Sequence, residues 1–293
     1  MAFNGDLLVC APLECGTREE MLASMELAKK QGADIVELCM GLMPSSDIFE
    51  VESLLRLRSL PSIVSFRPNC SKHPSQKHSD RTRIQILTWA AKLGVEFVEI
   101  AHEVCTEEYI NELKRTSTKT SFIVSNYVNR GSFTREELGN LIIEMQSTEA
   151  DVIKLVIDVH SITDVAPIFQ MLTHCQVPLI VRATGERGLI SQLLGPKYGA
   201  SVVMGSLGGK TVPGLPPLAS IKQVYKLENV NADTKIYGVV SNPVGHSKGP
   251  QLHNPAFRHT GYNGIYVPLL VDDIEEFFRV YSSDDFAGFR YII

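Results

Sequence analysis

Short apolar runs alternate with amphipathic stretches eight times before residue 226, and few folds accommodate that alternation. Strands are expected at 7–13, 35–40, 62–67, 97–102, 122–127, 152–157, 178–183 and 200–205. Helices are expected at 17–31, 46–58, 80–93, 106–116, 134–147, 161–174, 188–194 and 215–225. The run at 151–158 (DVIKLVID) is apolar on both faces, the mark of a parallel strand covered on each side. Thr17 with Glu20 three residues on predicts a capping box, and Gly94 predicts a helix stop. Eight β-α units in about 225 residues match a (β/α)8 TIM barrel. An open doubly wound sheet would need fewer repeats and an early glycine-rich turn, and no G-x-G-x-x-G occurs in this region.

The register breaks near residue 226. Residues 226–235 (KLENVNADTK) are polar and read as a linker, and a new β-α-β-α pattern begins at 236. The expected organisation is a barrel over 1–225, a linker over 226–235 and an incomplete α/β substrate-binding domain over 236–293. About 60 residues are thin for an independent α/β domain.

Of the 293 residues, 44% are hydrophobic and 21% charged, ample for a core, and the formal net charge of −5 disfavours nucleic acid or an anionic membrane as partner. No apolar run approaches the ~18 residues of a membrane span. The six cysteines are scattered without a C-x-x-C, as in reduced intracellular proteins. The first residues carry neither a signal core nor a transit-like segment, so a soluble intracellular chain is expected.

Five charged residues sit inside apolar strand patterns: Glu37, Arg67, Glu99, Lys154 and Arg182. Barrel active sites lie at the C-terminal ends of the strands, so these side chains are expected to converge on a polar pocket. Lys154 admits two readings. It is either a desolvated amine able to attack carbonyls or a structural lysine paired with an internal carboxylate. His73 and His78 read as part of a solvated lid segment, and Met40, Met43 and Met204 as core filler.

The motifs VEL-x-M near 36–40, SFRP at 65–68, IVS at 123–125, ADVIKL at 150–155 and GERGLIS at 185–191 resemble type I 3-dehydroquinate dehydratase. The stretches TKIYGVVSNPVGHSKGPQLHNPAF (234–257) and YVPLLVDDIEEFFRVYSSDDFAGF (266–289) resemble the start of shikimate dehydrogenase. The order of the two is similar to that of the plant bifunctional family. The resemblance implies that Lys154 forms a Schiff base with the C3 carbonyl of 3-dehydroquinate, with no cofactor, while a histidine removes the C2 proton. It also implies NADP as cofactor of a full-length dehydrogenase parent, small-molecule substrates (3-dehydroquinate, shikimate or quinate) and a plastid location.

Several positions depart from the family pattern. Tyr127 stands at the family's catalytic histidine, and a phenol with a pKa near ~10 is a poor base at neutral pH. Cys39 and Gln192 stand where arginines are expected, and Leu215 where a glutamine is expected. Glu37, Arg67 and Lys154 remain as substrate-site residues, and His102 and His160 lie where a substitute base could stand. In the second unit Ser247 keeps the first serine of H-S-K-S-P while Gly249 replaces the second. That change is similar to the quinate dehydrogenase branch and is expected to leave room for an extra ring hydroxyl. After FAGF the chain reads Arg290-Tyr291-Ile292-Ile293, and the catalytic lysine and NADP-binding domain of the parent are expected to be missing. The expected function is therefore an impaired dehydratase with an incomplete dehydrogenase. The alternative is an inactive barrel scaffold or a fragment of a quinate dehydrogenase.

Overall fold

In the computed structural model residues 3, 5–43, 48–66, 80–128, 134–209, 211–245 and 247–291 are described. Eight strands follow one another in parallel: β1 (Leu8–Leu13), β2 (Ile35–Cys39), β3 (Ser62–Ser65), β4 (Phe97–Ala101), β5 (Ser121–Val128), β6 (Val152–Asp158), β7 (Leu179–Thr184) and β8 (Val202–Met204). Between and after them run α1 (Arg18–Lys30), α2 (Ile48–Leu57), α3 (Asp80–Lys92), α4 (Glu107–Thr116), α5 (Arg135–Gln146), α6 (Ala166–His174), α7 (Leu189–Leu194) and α8 (Leu218–Ser220). The hydrogen-bonded order is β7-β6-β5-β4-β3-β2-β1-β8, a sheet curled until its two ends meet. This is the eight-stranded β/α barrel that the alternation predicts.

The helix ends follow local chemistry. Thr134 and Glu137 cap α5 reciprocally, and α4 carries Glu107 and Glu108 in its first turn and Lys114 and Arg115 in its last, complementing the helix dipole. The box expected at α1 is one-sided. Thr17 accepts from the Glu20 amide, but the Glu20 carboxylate reaches back to the Gly16 N–H instead. The helix expected over 161–174 opens with a 3-10 turn at Ile162–Val165, fixed by Ser161 and Asp164. The helix expected from 215 starts only at Leu218, because Pro216 and Pro217 have no N–H to place in a helical turn, and it continues as a π turn over Ile221–Tyr225.

Two apolar layers build the barrel. The outer one packs the strands against the helices and includes Met40 and Met43. The inner one is a ring with a member on every strand: Cys10, Ile35, Ile63, Phe97, Ile123, Val152, Ile180, and Val202 with Met204. Leu215 and Val212, from the segment after β8, join this ring.

β7 and β8, the two ends of the sheet, are joined by a side chain. Gln192 on α7 is 1% exposed; its Nε2 donates to the Val181 carbonyl at 2.8 Å and its Oε1 accepts from the Met204 N–H at 2.7 Å. Ser191 beside it accepts from the Ala183 N–H at 3.1 Å. An amide carries both a donor and an acceptor, so one residue satisfies a carbonyl on one strand and an N–H on the other.

Beyond the barrel, β9 (Lys235–Ser241), α9 (Gly249–Thr260), β10 (Gly264–Leu270), α10 (Ile274–Val280) and β11 (Phe286–Tyr291) form a parallel sheet in the order β10-β9-β11 with two helices. Asn254 of α9 repeats the device of Gln192 on β10: it donates to the Tyr266 carbonyl and accepts from the Tyr266 N–H. The unit is tied to the barrel by Arg187–Asp272, by Lys197–Asp285 at 3.1 Å and by the Tyr281 hydroxyl on the Ile162 carbonyl at 2.7 Å. The segment between the two units is folded onto the barrel: Leu227 is fully buried, and the Ala232 carbonyl accepts from Lys197.

Candidate active site

Side chains on a strand alternate between faces, so the residues two positions beyond each member of the inner ring also face the lumen. They are Pro12, Glu37, Ser65, Glu99, Ser125, Lys154 and Arg182, with Ser206 after β8. The lumen is apolar at the level of Ile35 and Val152 and polar one step closer to the C-terminal mouth. The register agrees: Ser125 pairs with Lys154, and Glu99 with Ser65.

At the centre of this second ring lies an ion cluster. Lys154 Nζ stands 2.8 Å from Glu37 Oε2 and 2.6 Å from Glu99 Oε2. All three side chains are at most 2% exposed. Ser65 donates to Glu37 Oε1 at 3.0 Å, and the Cys39 thiol lies 3.7 Å from the same oxygen. At an effective dielectric constant of about 20, an ammonium and a carboxylate at these separations attract by about 6 kcal/mol. Two such contacts offset part of the cost of desolvating the lysine. Lys154 is therefore both buried and paired with internal carboxylates. For the nitrogen to become a nucleophile its proton must leave, and two carboxylate oxygens are within hydrogen-bond distance to receive it.

The other expected site residues are distributed unevenly. Tyr127 pairs in register with Val156, one step beyond Ser125 on the lumenal face. Arg182 pairs with Val156 from the other side and lines a cavity of about 280 Å³. Cys39 joins the ion cluster through Glu37. Gln192 lies in the barrel seam, and Leu215 is packed in the apolar ring. His102, directly after β4, is within 3.4 Å of Asn126 through its Nδ1. His160, two residues after β6, is exposed. Arg67, His73 and His78 lie outside the described residues. Ser65, Ser125 and Ser206 belong to the polar ring although charge alone did not mark them. The signal that finds them is their place two residues beyond an apolar strand residue.

In the second unit Ser247 accepts from the Gly249 N–H at 3.2 Å at the start of α9. The room expected at Gly249 is filled: a Cβ there would lie 2.5 Å from Cε1 of Tyr266. The Tyr266 ring, stacked on His253 at 4.4 Å, takes the volume that a serine would need. Alongside runs an aromatic cavity of about 900 Å³ lined by Tyr237, His253, Phe257, Tyr262, Tyr266 and Phe289, among others. Among the described residues no group of three or more metal-ligating side chains occurs, and no helix is long and apolar enough to cross a membrane.

Comparison with known proteins divides the chain at the same place as the two sheets. A profile for Type I 3-dehydroquinase matches residues 9–232, and one for the Shikimate dehydrogenase substrate binding domain matches residues 239–291. The bifunctional 3-dehydroquinate dehydratase/shikimate dehydrogenase of Arabidopsis thaliana, a chloroplastic protein by name, is 32% identical over 285 residues, 96% of this chain and 47% of that protein. The chain thus spans about half the length of that relative. A 3-dehydroquinate dehydratase of Methanococcus vannielii is 28% identical over 225 residues, 75% of this chain and 99% of its own length. Among solved structures, a type I 3-dehydroquinate dehydratase from Clostridium difficile superposes with a TM-score of 0.67 at 20% identity, covering 76% of this chain and 92% of that one.

Proposed function

Because the chain belongs to the type I 3-dehydroquinase family and continues into a shikimate dehydrogenase substrate-binding domain, we propose that its barrel forms a Schiff base with 3-dehydroquinate through Lys154. The observation that carries this reading is the desolvated Lys154 nitrogen with Glu37 and Glu99 in contact. One carboxylate accepts the ammonium proton, and the amine adds to the C3 carbonyl. Loss of the former carbonyl oxygen as water leaves an iminium. Removal of the C2 proton sends its electron pair into the iminium, and the C1 hydroxyl departs as water. Hydrolysis then returns Lys154 and releases 3-dehydroshikimate.

The proton-removal step is the weak one. Tyr127 is a poor base, and the absence of a matched base costs ~10²–10⁴-fold. Schiff-base formation is proposed to outrun dehydration. A second reading, a non-catalytic barrel, is favoured by one observation. The groups at two of the family's substrate-anchoring positions are engaged elsewhere, Gln192 in the seam and Leu215 in the apolar ring.

The second unit is proposed to hold a hydroxylated cyclohexane carboxylate, shikimate or quinate, near Ser247. With Tyr266 filling the space beside Gly249, a preference for quinate does not come from empty volume there. Among the described residues no strand-to-helix turn of this unit has the glycine-rich sequence that cradles a pyrophosphate. NADP is the cofactor of the shikimate dehydrogenase family, and no step is routed through it here. A plastid location is proposed from the name of the Arabidopsis relative alone.

Borohydride trapping decides between the two readings of the barrel. Incubation with 3-dehydroquinate, reduction and intact-mass analysis are expected to give one adduct, mapped to Lys154 and absent from Lys154→Ala. An unmodified mass at millimolar substrate would leave the non-catalytic barrel.

A further inference from the structure

We propose that Arg182 is the anion-binding residue of the barrel lumen and receives the carboxylate of a small hydroxylated acid. The proposal rests on the reading of the barrel as a 3-dehydroquinate site, and it supplies the carboxylate anchor that Cys39 and Gln192 do not.

The polar ring is divided by strand. Glu37, Glu99 and Lys154 come from β2, β4 and β6, and they close on one another. Pro12, Arg182 and Ser206 come from β1, β7 and the segment after β8, and they border the cavity of about 280 Å³. Arg182 pairs in register with Val156, two residues beyond Lys154, which itself pairs with Ile180. The guanidinium is thus anchored one pleat nearer the mouth than the lysine, on the adjacent strand and on the same lumenal face.

The cavity walls suit such a ligand. Ser206, 3% exposed, and Ser24 offer hydroxyls, while Pro12, Leu13, Leu207 and Val212 supply apolar surface. Glu14 also borders the cavity but is exposed at the rim, where water screens its charge. Among the described residues of the walls Arg182 is the cationic side chain. A guanidinium presents two parallel N–H groups to the two oxygens of a carboxylate, which a lysine cannot do. Among the described residues at the family's anchoring positions, Leu215 has no donor and the Gln192 amide is already bonded to both edges of the seam.

The test measures binding rather than turnover. Quinate, its methyl ester and inorganic phosphate are titrated by calorimetry into the wild-type chain, Arg182→Met and Arg182→Lys, each checked for an unchanged circular dichroism spectrum. Quinate is expected to bind the wild type at least about tenfold more tightly than its neutral ester, and Arg182→Met is expected to lose about 10–100-fold, as for a charged hydrogen bond. Arg182→Lys should recover only part of the loss. The proposal is overturned if the wild type does not bind quinate, if acid and ester bind equally, or if Arg182→Met binds quinate like the wild type. Displacement of quinate by an equal concentration of phosphate would also overturn it, since the site would then be a general anion site. The acid–ester comparison is repeated in Ser247→Ala, which removes the contact proposed for quinate in the second unit, and there it tests the barrel even if Arg182→Met misfolds. Arg182-dependent quinate binding without a borohydride adduct would sink the Schiff-base reading and leave this one standing. An adduct with Arg182-independent binding would do the reverse.

Discussion

Arg187 and Asp272, 85 residues apart, meet through two parallel N–H···O bonds of 2.5 and 2.6 Å. Arg187 lies in the turn after β7, at the barrel mouth, and Asp272 follows β10 in the second unit. Asn242 donates to the same carboxylate at 2.9 Å. These donors hold the Asp272 carboxyl below its ordinary value, with the Arg187 hydrogen bond as the largest cause. A group whose folded value is depressed adds stability above its unfolded value, and that stability is lost as the pH falls through the folded one. Both side chains are about a third exposed, so the pair is worth only about 0.5–1 kcal/mol after solvent screening. Asp272→Asn should lower Tm by about 1–2 degrees at neutral pH. The difference from wild type should shrink below about pH 4 and fade in high salt. Scanning calorimetry across pH checks both.

The seam residue is expected to be the more costly to change. Gln192→Ala leaves the Val181 carbonyl and the Met204 N–H without the amide that satisfies them, at about 1–3 kcal/mol each. Gln192→Arg, which restores the residue type expected from the family, should also destabilise the barrel, because a guanidinium has no acceptor for the Met204 N–H. Urea denaturation and faster exchange of the Met204 amide would show the effect. Equal stability of all three proteins would remove the seam role.

Gly249→Ser should be destabilising by about 1–3 kcal/mol, since its Cβ falls 2.5 Å from the Tyr266 ring. Tyr266→Leu in the same chain should recover part of that loss. A double-mutant cycle that gives purely additive changes would contradict the contact.

Tyr281 is buried against the barrel, and burial pushes its phenol well above the ordinary value of 10.0. Its contribution is intact below the unfolded value and declines as the pH rises past it toward the raised folded one. Spectrophotometric titration should leave this tyrosine un-ionised at pH values where exposed phenols titrate. Tyr281→Phe removes the bond to Ile162 and should cost about 1 kcal/mol, read by chemical denaturation.

The sequence by itself determined the order of strands and helices, the face on which each strand residue lies, and the place of Lys154 at the polar level of the lumen. These are local properties, carried by apolar period, caps and prolines, so a linear reading reaches them. It also determined the likeness to two families, because motifs survive as strings. The tertiary structure alone decided what each side chain meets. Lys154 finds its carboxylates 55 and 117 residues away, and Gln192, read as a lost substrate contact, proves to bridge Val181 and Met204. The gap expected at Gly249 is filled by a tyrosine 17 positions along. The physical reason is common to all three. A strand encodes which way a side chain points, but only closure of the barrel and docking of the second unit bring distant faces within bonding distance.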